Sequence, residues 1–188
     1  MPLSRPAPRR HIHTRDIRCL GFQRDDGQWD IEARLVDTKT YSFDNQDRGG
    51  INAGEPIHEM LLRLTLTDHL EITAVEADIA NGPFTLCGSI VGAFQGLVGL
   101  SIGRGWRKAV LSRLGGTKGC THLVELLLGQ LAATAYQTVR PARARREQAA
   151  AGGGKPSMLD TCHALASDSP VVARHWPDHF TGPKPGAS

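Results

Sequence analysis

Met60-Leu61-Leu62-Arg63-Leu64-Thr65-Leu66 puts Met60, Leu62, Leu64 and Leu66 on one side of the chain and Arg63 and Thr65 on the other. A period of two residues belongs to a strand with one buried face. Asp68-His69 then turns the chain, and Leu70, Ile72 and Ala74 begin a return strand. Working back toward the N-terminus, Ile17, Cys19 and Gly21 alternate with their neighbours up to Phe22. Arg24-Asp25-Asp26-Gly27-Gln28 supplies the Asp-Gly of a hairpin turn, and Trp29-Asp30-Ile31-Glu32-Ala33-Arg34-Leu35 alternates again. Two hairpins separated by a polar, Gly-rich loop at 44–55 predict a small antiparallel sheet with one buried face.

Toward the C-terminus the period changes. Ile90, Phe94, Leu97 and Val98 suit one helix, and Trp106 to Leu114 a shorter one that Gly115-Gly116 ends. The best helical pattern starts near Thr121, with Leu123, Leu127, Leu131 and Ala135 on one stripe and Val124 and Leu128 beside it. It is expected to end before Pro141. Strands first and helices after define an α+β class, a small antiparallel sheet from two hairpins followed by a helical cluster. The expected organisation is a disordered arm at 1–13, a single α+β domain at 14–139, a flexible linker at 140–156 containing Gly152-Gly153-Gly154, and a C-terminal tail at 157–188. That tail should hold a helical piece at Met158–Leu165 and an extended piece at Val171-Val172.

Composition removes several function classes. Of the 188 residues, 5% are aromatic, too few to stack bases, and the net charge of +3 comes from local arginine runs. Nucleic acid is therefore not the expected partner. No stretch approaches the ~18 consecutive apolar residues of a membrane span, and no apolar segment follows the charged start. A cytoplasmic location is expected. Four cysteines (Cys19, Cys87, Cys120, Cys162) are widely spaced, so they read as buried hydrophobes, ligands or nucleophiles rather than disulfides.

Three positions stand out chemically. Cys120 follows Lys118-Gly119 at a helix start, where the partial positive charge favours thiolate, although Thr121 is a rival cap. Cys87 sits at a strand-to-helix corner, and His58 just before the strand Met60–Leu66. Each also has a plain structural reading, as a small core side chain or a surface imidazole.

Their order resembles a known family. Gly54-Glu55-Pro56-Ile57-His58-Glu59-Met60 is similar to the Gly-x-Pro-x-Cys-Gly-Asp segment of the iron–sulfur cluster scaffolds of the NifU/IscU type. Cys87-Gly88-Ser89-Ile90 resembles their second cysteine corner, and Lys118-Gly119-Cys120-Thr121-His122-Leu123 their third. The likeness covers roughly 54–139 and implies a NifU/IscU-like core in which His58, Cys87 and Cys120 converge on a metal. The chain departs from that pattern. His58 stands for the first cysteine, Met60 for the aspartate linked to cluster lability, and Gly115-Gly116 for a double proline. No histidine precedes Cys120, though His122 follows it. Trp29-Asp30-Ile31-Glu32, Asp37-Thr38-Lys39 and Gly119-Cys120-Thr121-His122-Leu123 also resemble an uncharacterised bacterial family across most of the chain.

One imidazole and two thiolates suit zinc, and three protein ligands leave a position open for catalysis. The expectation is a small zinc-dependent lyase or hydrolase acting on a small organic substrate; an iron–sulfur cluster or metal carrier is the alternative. Glu59, His122 and Glu125 are the candidates for proton transfer, and Arg63, Lys118, Lys39 and Tyr41 for substrate binding. Asp37, Lys39 and Tyr41 fall on one side of their strand, and Cys162-His163 is a remote candidate for a further ligand. Assembly with further copies of the chain is left open.

Overall fold

The computed structural model describes residues 4–150, 156 and 158–183. Two units arise, Met1–Pro141 and Ala142–Ser188. In the first, four strands form one antiparallel sheet in the order β1-β2-β3-β4: β1 His13–Gln23, β2 Trp29–Lys39, β3 Pro56–Leu66 and β4 Ile72–Asn81. The first hairpin closes through Gly27 at φ 84°, a left-handed conformation that glycine adopts without steric cost. The second turn spans Thr67–Glu71, so the return strand begins at Ile72 and not at Leu70, which is left-handed itself at φ 62°.

Register carries the alternation across the sheet. Ile31 lies opposite Leu64 and Leu64 opposite Val75; Leu35 lies opposite Met60. All five are buried. Burying one such side chain stabilises by roughly 1.5–3 kcal/mol. The other face carries charge: Arg63 bridges Glu32 and Glu76, and Arg34 pairs with Glu59.

Helices cover the apolar face. Residues Thr85–Leu97 form a run of 3-10 turns where an α-helix was expected. The buried pair Phe94 and Leu97 is three residues apart, so it shares a face at three residues per turn, and Gly88, Gly92 and Gly96 weaken the α alternative. α1 follows at Trp106–Leu114, as expected. α2 (Thr121–Leu126) runs through a π turn at Leu127–Leu131 into α3, Ala132–Ala150. The helix thus passes Pro141 instead of stopping before it; proline removes one intrahelical bond there, which the regular turns on both sides tolerate. Of the expected linker, 151–155 lie outside the described residues, as do residues 1–3 of the expected arm. Thr40 donates to the carbonyls of His11 and Ile12, so the end of that arm is tied to β2.

Gly21 sets how closely the long helix approaches β1. A Cβ added there would stand 2.0 Å from Thr138 Oγ1, which itself donates to the Thr134 carbonyl. Gly21→Ala is expected to destabilise the protein by about 1–2 kcal/mol in urea unfolding, and Thr138→Ala in the same chain should recover only part of it, because the Cβ of residue 138 stays 2.8 Å from the added carbon.

In the second unit, α4 spans Pro170–His175, so Val171 and Val172 are helical rather than extended. Ser169 Oγ accepts from the Val172 amide and Pro170 occupies the first turn, a start signal that outweighs the β preference of two valines. A 3-10 turn covers His163–Leu165. No helix among the described residues is long and apolar enough to cross a membrane.

A carboxylate and imidazole cluster at the end of the sheet

The apolar face of the sheet ends in a polar row. On β2, Trp29, Ile31, Ala33 and Leu35 point inward, and the next inward position is Asp37, 2% exposed. Register places Arg15 of β1 opposite Asp37 on one side and His58 of β3 opposite it on the other. Three adjacent strands therefore present a cation, a carboxylate and an imidazole in line.

Every lone-pair direction of that carboxylate is used. Arg15 donates from Nε to Oδ1 and from Nη2 to Oδ2, both at 2.8 Å, a two-pronged grip. His13 Nε2 lies 3.0 Å from Oδ1 and His58 Nδ1 3.0 Å from Oδ2. Four donors match the roughly four acceptor sites of a carboxylate. Burial opposes ionisation of Asp37, but the hydrogen bonds and charge of Arg15, with help from His13 and His58, hold its pKa at about 2.

His122 arrives from the helical layer. Cys120 is the extended residue before α2, so the first turn of that helix lies over the row. The His122 ring stacks on His58 with centroids 3.9 Å apart, and its Nε2 is 4.0 Å from Asp37 Oδ2. One ligand atom from each of Asp37, His58 and His122 lies within 4.8 Å of the others, and this group could hold a metal ion. Burial lowers the pKa of His58, and the neighbouring His122 lowers it further against the pull of Asp37. His122 is lowered by burial and by Arg15. Both rings are thereby biased to the neutral form, the one that ligates metals.

The expected residues scatter around this cluster. His58 and His122 belong to it. Cys120 stands nearby, its Sγ 3.9 Å from Met60 Sδ, but neither it nor Cys87 joins the group that includes His58. Cys87 packs instead against Gly82, where an added Cβ would come within 3.1 Å of its sulfur. Glu59 follows His58 and so points to the opposite face, held by Arg34 and Asn81; Arg63 lies on that same face. Glu125 reaches Arg15 Nη1 at 3.4 Å. Lys118 donates to the Ser112 carbonyl, and Lys39 sits 5.9 Å over the ring of the exposed Tyr41. In the second unit Cys162 is exposed.

Asp37, Arg15 and His13 were not among the expected ligands. The signal for Asp37 was an acidic residue continuing the apolar register Trp29, Ile31, Ala33, Leu35, where a surface residue would break it. Arg15 and His13 share that face on the pairing strand, which only register reveals.

Fold and site together define an α+β domain whose sheet ends in a buried carboxylate ringed by imidazoles. The chain belongs to the family described as "Protein of unknown function (DUF2889)", which it matches over residues 13–137. That span contains His13, Arg15, Asp37, His58 and His122. No curated protein and no solved structure matches the chain. The resemblance to an uncharacterised family thus stands, while no iron–sulfur scaffold family is matched.

Proposed function

We propose that the protein is a small metal-dependent enzyme, a lyase or hydrolase, that holds one zinc ion with Asp37, His58 and His122. The convergence of their ligand atoms within 4.8 Å carries this reading. Two imidazoles and a carboxylate suit zinc, and three protein ligands leave a position open for water or a substrate oxygen. Bound there, the ion would acidify water or polarise a carbonyl.

The surrounding residues have separate tasks. Arg15 keeps Asp37 ionised and fixes its plane without occupying the imidazoles. Ligation through His58 Nδ1 requires that nitrogen to give up the proton it shares with Asp37, and a shift of tautomer to Nε2 achieves this with no net charge. Glu125, exposed and tethered to Arg15, is the carboxylate placed to exchange protons with solvent. An iron–sulfur carrier, which the scaffold resemblance implies, calls for several thiolates. The imidazole-rich group at Asp37 supports zinc better.

The test is zinc titration of the chelator-treated full chain, read by competition with a chromogenic chelator. One colourless zinc per chain, bound with Kd at or below about 1 μM, is the expected result. A chain that retains no metal, or one that gains visible absorbance from iron and sulfide instead, would sink the proposal.

A further inference from the structure

α1 and its flanks carry an unusual charge pattern. Arg104, Arg107, Lys108, Arg113 and Lys118 follow one another with no acidic residue between them, and Glu125 is the one acid between Asp78 and Glu147. Glu125 is already engaged by Arg15. Among the described residues, Arg104, Arg107 and Lys108 form no ion pair with an acidic side chain.

Arg107 and Lys108 border a groove between α1 and the helix that runs from α2 into α3. Its walls are mainly apolar, including Leu111, Leu128, Ala132 and the ring of Tyr136, and its volume is about 1050 Å³. Trp106 lines it too, and the indole Nε1 is buried with no acceptor among the described residues, which costs stability in a folded chain. Gly129, in the π turn, leaves open space at one wall. Such turns inside helices are frequent at functional sites. The groove continues past Arg107 and Leu111 to Thr121 and Glu125. Glu125 is one helical turn from His122, and its partner Arg15 grips Asp37.

An apolar trough with free cations along one wall fits an anionic amphiphile. We propose that the groove binds a soluble organic acid with an apolar body of about eight carbons or more, and that the substrate of the metal site belongs to this class. Arg107 and Lys108 hold the acid group, and Leu111, Leu128 and Ala132 cover the apolar body. The second clause rests on the zinc reading; the first does not.

Decanoate is the probe, titrated into the chelator-treated full chain while tryptophan fluorescence and heat are recorded. Saturable micromolar binding is expected, weakened at least ~10-fold by Arg107→Glu with Lys108→Glu. Decyltrimethylammonium, of matched length and opposite charge, should not bind. Trp106→Phe should remove most of the fluorescence change while heat is still released. Absence of saturation by about 1 mM, equal binding of the cation, or binding only to phosphatidylglycerol vesicles overturns the proposal. Zinc bound at Asp37 without decanoate binding would leave the metal reading standing and remove this one; decanoate binding without zinc would do the reverse for the substrate link.

Discussion

Asp37→Asn is expected to lower the stability of the metal-free protein by about 2–3 kcal/mol at pH 7. Asparagine keeps the shape but removes the charge that Arg15 grips with two hydrogen bonds. Breaking a fully buried pair costs about 3–5 kcal/mol. Arg15 retains 33% exposure, so solvent takes up part of the loss and the lower figure applies. Linkage gives a consistent size. The carboxyl ionises near 2 in the folded chain against an ordinary 3.8, and that difference corresponds to about 2 kcal/mol. Because the folded value is the lower one, the unfolded chain binds the proton first. The stabilisation is whole above pH 3.8 and disappears as pH falls toward 2. Urea unfolding of both proteins across this range should show a gap that closes on acidification. A gap that stayed constant with pH would mean that the cost comes from the amide group facing the donors of Arg15 and not from loss of the carboxylate charge, and no gap at all would mean that Asp37 acts by shape. His58 and His122, with folded pKa values below the ordinary 6.5, add a separate loss that begins as pH drops below 6.5.

The strands were legible because their signal is local. Met60 to Leu66 alternates without a break, and Asp26-Gly27 marks the turn of the first hairpin unaided. Helix α1 was bounded by glycines that sequence displays directly. What sequence could not show was competition between local preferences. Ile90 to Val98 has a helical period, yet Gly88, Gly92 and Gly96 lower the α preference enough for 3-10 turns to take the segment. Pro141 should end a helix, but the turns around it continue. The site was harder still. His58 and His122 were visible as single imidazoles, and the resemblance to cluster scaffolds tied His58 to Cys87 and Cys120. The structure ties it to Asp37, whose charge looked like one more exposed strand residue beside Lys39 and Tyr41. Burial of that carboxylate depends on register across three strands and on a helix that starts over 80 residues later, and neither is written in its neighbours. Arg15 is the clearest case. On its own it is one arginine among many, and opposite Asp37 it decides the charge of the site.

Zinc affinity should separate the two ligand sets. His122→Ala and His58→Ala each remove one of three ligands and are expected to weaken zinc by at least ~100-fold, beyond the 10–100-fold range of changes at residues that merely orient a ligand. His13→Ala should fall within that range, near ~10-fold, since His13 touches Asp37 at 3.0 Å but is outside the converging group. Cys87→Ser combined with Cys120→Ser should change affinity by less than ~3-fold, because the sulfurs lie against Gly82 and Met60 and not in the group at Asp37. Competition titration with a chelator measures all four on one scale, and circular dichroism at each point shows that the chain is folded. The order is the informative part. If the double cysteine variant lost zinc while His122→Ala kept it, the ion would belong to the thiols, and the row of Arg15, Asp37 and His58 would be an electrostatic clamp joining three strands.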